Sequence, residues 1–266
     1  MRVLAVVHHT NAAAGVFADP ARAAGHELVE WLPHEAPPPA EDAVGEHAAR
    51  ASTRSPFGAA MVFGGAMNVD EEDRHPWLRE EKLFLRELLE RGTPMVGVCL
   101  GSQLVAEAAG GEVRRAARPE IGWHEIELTP EGAADPLLGV LPERFDSFQY
   151  HHYEWLTPPG GVTLARSANG HQAFRLGERP VWGLQFHPEV TEPDLGSWLD
   201  DWRNDPGAVA TGLDPEAIRS ESAAKIGAWN DTGRALAERF LELARRKRPG
   251  RRGAQRSTTA GSRTPT

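Results

Sequence analysis

The sequence predicts an α/β fold, an open and mostly parallel sheet flanked by helices with an antiparallel extension. Two observations carry this. Up to about residue 109, short apolar β-branched runs alternate with segments of helical period, joined by short connections. That is the pattern of right-handed crossovers and of a sheet covered on both faces. After Gly110-Gly111 the pattern changes to β-rich runs separated by turns, which suits antiparallel pairing.

In chain order, Arg2 to Val7 is a short apolar run that fits a buried first strand. Asp19-Pro20 reads as the cap and first turn of a small helix ending at Gly25. His26 to Leu32 reads as a second strand, and Pro33 to Pro56 as a long connection with room for one polar helix. Ala59 to Phe63 forms a third strand ending in Gly64-Gly65. Pro76 then opens the clearest helix, with Trp77, Leu78, Phe84, Leu85, Leu88 and Leu89 at helical spacing and Gly92 closing it. A strand from Pro94 to Val98 and a helix from Ser102 to Ala109 follow. Beyond Gly111, strands are expected at Ile121–Leu128, Ser147–Leu156, Val162–Ala165, His171–Arg175 and Val181–Phe186. Helices are expected at Leu195–Trp202 and Ala223–Arg246. The core should run over residues 1–245 as one domain.

Composition narrows the function. The chain is 40% hydrophobic and 25% charged, as ordinary globular proteins are. No apolar run approaches the roughly 18 residues that span a bilayer, and Met1–Val7 lacks a cleavage site, so the default address is the cytoplasm. The net charge of −9 hides an asymmetry: Arg245 to Thr266 holds eight Lys or Arg and no acid, leaving −17 on the rest. An acidic body argues against nucleic acid as partner of the folded part. The segment 246–266 reads as a disordered basic tail. The glycine clusters match neither a P-loop nor a dinucleotide fingerprint, so no cofactor is expected. His8-His9 and His151-His152 sit on strands, where neighbours face opposite ways and cannot chelate as a unit, so no metal is expected either. The tryptophans at 77, 123, 155, 182, 198, 202 and 229 are assigned to packing.

The single cysteine cannot form an internal disulfide or a thiolate metal cluster. Its plain reading is a small buried hydrophobe. Its surroundings argue otherwise. Gly97-Val98-Cys99-Leu100-Gly101 lies between a buried strand and a helix, the G-x-nucleophile-x-G pattern of a nucleophile elbow. Such a turn lifts the side chain above the carboxyl edge of the sheet, over a helix amino-terminus that favours a thiolate. Far downstream, a β-run ends in Phe186-His187-Pro188-Glu189. A base for a thiol needs a third group on its other ring nitrogen, and the proline-restrained step can hold Glu189 there. Acyl transfer also needs two N–H donors aimed at the developing oxyanion. Leu100 supplies one in the usual elbow arrangement, and Gly65, at a neighbouring strand end, can supply the other.

These blocks together resemble the class I (triad) glutamine amidotransferases, and most closely the stand-alone type similar to the glutaminase domain of GMP synthase. Glu120-Ile121-Gly122-Trp123 and Phe148-Gln149-Tyr150-His151 resemble further segments of that family. The resemblance covers roughly residues 1 to 245 and implies a flavodoxin-like core. It implies that Cys99 attacks a γ-glutamyl carboxamide to give a thioester, with His187 moving protons and Glu189 orienting it. It also implies substrate contacts from Gln103 and His151. Two departures stand out. Ser102 replaces the usual His after the elbow, and His152-Tyr153 replaces the Gly and Asp that hold the amino-acid end of the substrate. Three functions stay open: glutamine hydrolysis, with ammonia passed to a separate synthetase partner chain; a γ-glutamyl peptidase or γ-glutamyl-amine hydrolase acting alone; and a non-catalytic binding protein of the same fold.

Overall fold

A computed structural model describes residues 1–9, 11–39 and 55–246 of the chain. One nine-stranded sheet organises it. Its strands are β1 (Arg2–Val6), β2 (Glu27–Trp31), β3 (Ala59–Val62), β4 (Met95–Val98), β5 (Val113–Leu128), β6 (Arg144–Trp155), β7 (Val162–Arg166), β8 (His171–Arg175) and β9 (Val181–Leu184). Their spatial order is β2-β1-β3-β4-β9-β8-β7-β5-β6. The first five in this order pair in parallel, and every pairing from β9 outward to β6 is antiparallel. The parallel part has the 2-1-3-4-5 order of flavodoxin-like sheets, in which ligands gather at the carboxyl ends beside the β1/β3 switch point.

Alternation within the parallel strands builds two apolar layers. Val3, Ala5 and Val7 of β1 and its extension join one core, with Ala59, Met61, Val96 and Val98. Leu4 and Val6 join the other, with Ala60, Val62 and Met95. The second layer is closed by α2 (Trp77–Glu90) and α3 (Leu100–Ala108), whose Leu78, Leu85, Leu88 and Leu104 pack into it. The first layer is closed by α1 (Ala18–Ala23) and by the long carboxy-terminal helix Pro215–Arg246, through Phe17, Trp229, Leu236 and Phe240. Between them lie α4 (Pro130–Ala133), α5 (Glu192–Asp200) and α6 (Pro206–Ala210), so the last helix is α7.

Several boundaries differ from the sequence expectation. Asp19 is not the cap of α1: a 3-10 turn, Gly15–Phe17, runs straight into the helix, and Asp19 falls inside its first turn. Helix α3 begins at Leu100 because Cys99 itself occupies the cap position. Strand β5 begins eight residues before the expected Ile121, through an exposed, arginine-rich stretch with a register shift between Arg115 and Glu120. Helix α7 begins at Pro215 rather than Ala223, where Asp214 accepts from the Glu216 N–H in front of an N1 proline. The polar helix allowed for in the 33–56 connection, and the tail from 247 on, lie outside the described residues. Among the described residues no helix is long and apolar enough to cross a membrane.

Candidate active site

The parallel strand ends bring the candidate residues to one edge of the sheet. Cys99 follows β4, His187 follows β9 and Gly64-Gly65 follow β3, and Cys99, Leu100, Gly65 and His187 all line one cavity of about 700 Å³. Cys99 is only 6% exposed, yet it lines this space, with its thiol donating to the Tyr150 carbonyl at 3.7 Å.

The elbow is built from close backbone approaches. Cys99 has φ +51° and ψ −114°, and no other non-glycine residue among those described has a positive φ. Such a conformation in a non-glycine residue costs on the order of 1–3 kcal/mol and persists only where the surroundings impose it. They do so here. The Cys99 N–H donates to the Leu184 carbonyl at 2.8 Å, continuing the β4–β9 pairing. Ser102 Oγ donates to the Cys99 carbonyl at 2.7 Å and itself receives the Trp155 indole N–H at 3.0 Å. Ser102, the departure from the family pattern, thus braces the elbow. A Cβ at Gly101 would overlap the Val62 carbonyl, and one at Gly97 would lie 2.5 Å from the Gly101 carbonyl oxygen. Only glycine fits at either position, because strand and helix backbones meet there.

The imidazole is held from several sides. The His187 backbone N–H donates to the Phe148 carbonyl at 3.0 Å, and its carbonyl receives the Trp229 indole N–H at 2.7 Å. Its ring meets Trp198 edge-on at 4.9 Å between centroids. Nδ1 lies 2.8 Å from Glu189 Oε1. Glu189 is fixed through its backbone: its carbonyl accepts from the Val16 N–H at 2.9 Å, and a Cβ on Gly15, which has φ +47°, would overlap that oxygen. Likewise the Pro188 carbonyl lies against Gly233 of α7, where any side chain would collide with it. With Nδ1 committed to Glu189, Nε2 of His187 has no hydrogen-bond partner among the described residues.

The charges explain what this arrangement can do. Burial pushes the His187 pKa down, but the Glu189 carboxylate and then the Cys99 sulfur outweigh it and raise the value to about 10. An imidazolium stabilised between a carboxylate and a sulfur can keep a thiolate beside it and a proton ready for a leaving amine. The sign sets a test. Because the folded value is raised above 6.5, the pair's contribution to stability is complete below that pH and is lost as pH rises through about 10. Turnover, measured as kcat/KM against pH, should therefore keep its alkaline limb until about pH 10. A limb near pH 7 would contradict the pairing.

The remaining expected residues divide. Gly65 and Leu100 lie beside Cys99 on the cavity wall. Gln103 also lines it, but its amide nitrogen is turned toward the Tyr153 carbonyl and Gln185 Oε1, each at 3.3 Å. His151 borders the cavity with Nδ1 2.9 Å from the Tyr153 carbonyl and Nε2 3.2 Å from Glu120 Oε2. Burial raises the Glu120 pKa, but His151 and the neighbouring polar groups bring it down to about 2, so this carboxylate stays charged behind the imidazole.

Sequence reasoning missed five contributors. Trp198, assigned to packing, sets its ring against His187 and donates its indole N–H to the Asn11 carbonyl at 2.8 Å. Asp205 reaches the cavity from the segment before α6 and pairs with His152 Nε2 at 2.8 Å. Tyr150 sits beside it, its phenol kept protonated by burial and then by the Asp205 and Asp201 carboxylates. His8 and Glu81 form a fully buried ion pair directly behind Gly64. One signal was available for the last. On α2, Leu78, Glu81, Leu85 and Leu88 share one stripe, so Glu81 is an acid on the apolar face.

Comparison with known proteins bears on the family and the fold. The family model described as glutamine amidotransferase class-I matches residues 40–199. The chain is 36% identical over 142 residues to a glutamine-hydrolysing GMP synthase component from Saccharolobus solfataricus, covering 53% of this chain and 71% of that one. It is 36% identical over 124 residues to a γ-glutamyl-L-1-hydroxyisopropylamide hydrolase from a Pseudomonas species, 44% of this chain and 42% of that one, so it spans less than half of that relative. In fold it is similar to a glutamine amidotransferase from Thermotoga maritima, with a TM-score of 0.74 at 24% identity over 91% of this chain and 98% of that one. On these matches, with the fold to support them, the chain belongs to the class I glutamine amidotransferase family of enzymes.

Proposed function

We propose that the protein hydrolyses a γ-glutamyl carboxamide through Cys99, His187 and Glu189. The observation that carries this is the His187 ring, held at Nδ1 by Glu189 at 2.8 Å and open at Nε2 on the side of the Cys99 sulfur. The thiolate attacks the carboxamide carbon, and the carbonyl π electrons move onto oxygen to form a tetrahedral oxyanion. The N–H groups of Gly65 and Leu100 receive that charge. His187 gives its proton to the departing nitrogen, the C–N bond breaks, and ammonia or an amine leaves a thioester. Water then attacks the thioester while His187 takes its proton, and the C–S bond breaks to release a γ-carboxylate and restore the thiolate. Gln103 helps hold the substrate, and His151, beside Glu120, lines its path.

The size of the cavity favours a second reading within the same chemistry. A space of about 700 Å³ lies at the upper part of the range for small-molecule sites and exceeds what glutamine alone would fill. Where the family resemblance leads one to expect a Gly and an Asp, His152 and Tyr153 stand, and the carboxylates on the wall are Glu71, Asp201 and Asp205. These suit an ammonium group on a substrate larger than glutamine, which makes a γ-glutamyl amine or γ-glutamyl peptide the better candidate. Where ammonia is the product, a separate synthetase chain is the partner that would use it. We take residues 1–245 as the unit that performs the reaction.

The test is a panel of glutamine, γ-glutamyl dipeptides and γ-glutamyl amines, with release of glutamate and of the free amine both followed. Equimolar release from at least one member is expected, with the amines or dipeptides exceeding glutamine in kcat/KM by about tenfold or more. Glutamine as sole substrate would end the second reading, and no release from any member would end the first.

A further inference from the structure

Resting on the reading above, we infer that His8 is a positioning residue, clamped so that it fixes the Gly64–Gly65 peptide with the Gly65 N–H turned toward the acyl centre at Cys99. His8 comes directly off the end of β1, the strand next to β3 at the switch point of the sheet. Its Nδ1 lies 3.0 Å from the Gly64 carbonyl oxygen. Its Nε2 lies 2.9 and 3.1 Å from the two carboxylate oxygens of Glu81. A carbonyl and a carboxylate only accept, so both ring nitrogens must donate, and the ring is an imidazolium facing a carboxylate. Neither side chain is exposed at all. Although burial opposes the charge, Glu81 and the Gly64 and Phe63 carbonyls together raise the His8 pKa.

Geometry carries the effect to the site. The described peptide bonds are all trans, so the Gly64 carbonyl and the Gly65 N–H point in opposite directions. Holding the carbonyl on the His8 side turns the N–H away from it. Space is tight at this place: a Cβ on Gly64 would lie 3.1 Å from His187 Cε1, and one on Gly65 would lie 2.9 Å from both His8 Cβ and Leu100 Cδ2. Two adjacent glycines, however, rotate freely and can present the carbonyl instead of the N–H. The clamp removes that freedom. Trp77 stacks on the imidazole at 5.8 Å with 27° between planes, which sets the ring orientation. A buried ion pair is a costly way to hold a core together, since an apolar pair of like volume serves as well. Orienting one peptide beside a reacting centre gives it a purpose.

Replacing His8 alone would strand a buried carboxylate, so the test uses double variants, each checked for folding by circular dichroism and thermal midpoint. His8→Leu/Glu81→Leu removes the donor and both charges. His8→Asn/Glu81→Gln keeps a neutral N–H donor near the position of Nδ1. Two rates are read in each: hydrolysis of the best substrate, and alkylation of Cys99 by iodoacetamide, a displacement at saturated carbon that builds no oxyanion. The leucine pair should lose about 10²–10³-fold in kcat, the usual effect of removing one oxyanion donor, while KM and the alkylation rate stay within about threefold. The amide pair should regain at least about tenfold of that loss. An unchanged kcat in the leucine pair, with the wild type active, would overturn the positioning role. So would an alkylation rate that falls in step with kcat, because that reports a collapsed site. A wild type that hydrolyses no γ-glutamyl amide would remove the proposed function itself, and this inference with it.

Discussion

Cys99→Ala should abolish hydrolysis, lowering kcat by roughly 10⁶-fold, the effect of deleting the nucleophile in a comparable hydrolase triad. The change removes one sulfur from a side chain that is 6% exposed and leaves the backbone restraints untouched. The bond from the Cys99 N–H to the Leu184 carbonyl, the Ser102 brace and the two glycine contacts all survive. Alanine keeps the strained φ as cysteine does. Stability should therefore change by about 1 kcal/mol or less, which in a chain of this size moves the thermal midpoint by about 2–4 °C. Burst and steady-state product release, together with a melting curve, check both halves. Activity that survives the change would assign the chemistry to another group, and a collapsed fold would make Cys99 structural.

Glu189→Gln should cost less, roughly 10³–10⁴-fold in kcat, because the carboxylate orients and charges the imidazole without reacting. The amide has the shape of the carboxylate and stays pinned by the Val16 and Gly15 contacts to its backbone. It can no longer favour one tautomer, since either its oxygen or its nitrogen can face Nδ1. It also removes the charge that is the foremost cause raising His187. The residual activity should therefore show its alkaline limb below the value of about 10 that His187 has in the intact site. A kcat as low as that of Cys99→Ala, or an unmoved alkaline limb, would contradict the division of roles.

The part of this site that was legible in the sequence is the part written in local backbone chemistry. Gly97 and Gly101 are there because backbones cross within contact, and Pro188 because a short rigid step sets one side chain beside another. Each such block ends a buried strand, and in a parallel sheet all strand ends of one sense share an edge, so their convergence followed from topology. What depends on a single long-range pairing left little trace. His8 and Glu81 are 73 residues apart and meet only after β1 and α2 have packed. Trp198 packs among aromatic rings as many tryptophans do, and nothing in its local sequence announces its contact with His187 or its bond to the Asn11 carbonyl. Asp205 enters the cavity because a short turn, Trp202–Asn204, redirects the chain between α5 and α6. The early start of β5 was hidden for another reason. Arg114 and Arg115 are exposed, so the stretch shows no apolar alternation.

The central claim is that the sulfur of Cys99 is an activated nucleophile facing an open γ-glutamyl site. Incubating the full chain with a glutamine-analogue diazoketone, followed by intact mass and peptide mapping, tests it most directly. One equivalent of adduct on Cys99, formed in parallel with loss of activity and slowed by substrate, is the predicted result. Protein that stays unlabelled at Cys99, or that remains active once fully labelled there, would contradict it.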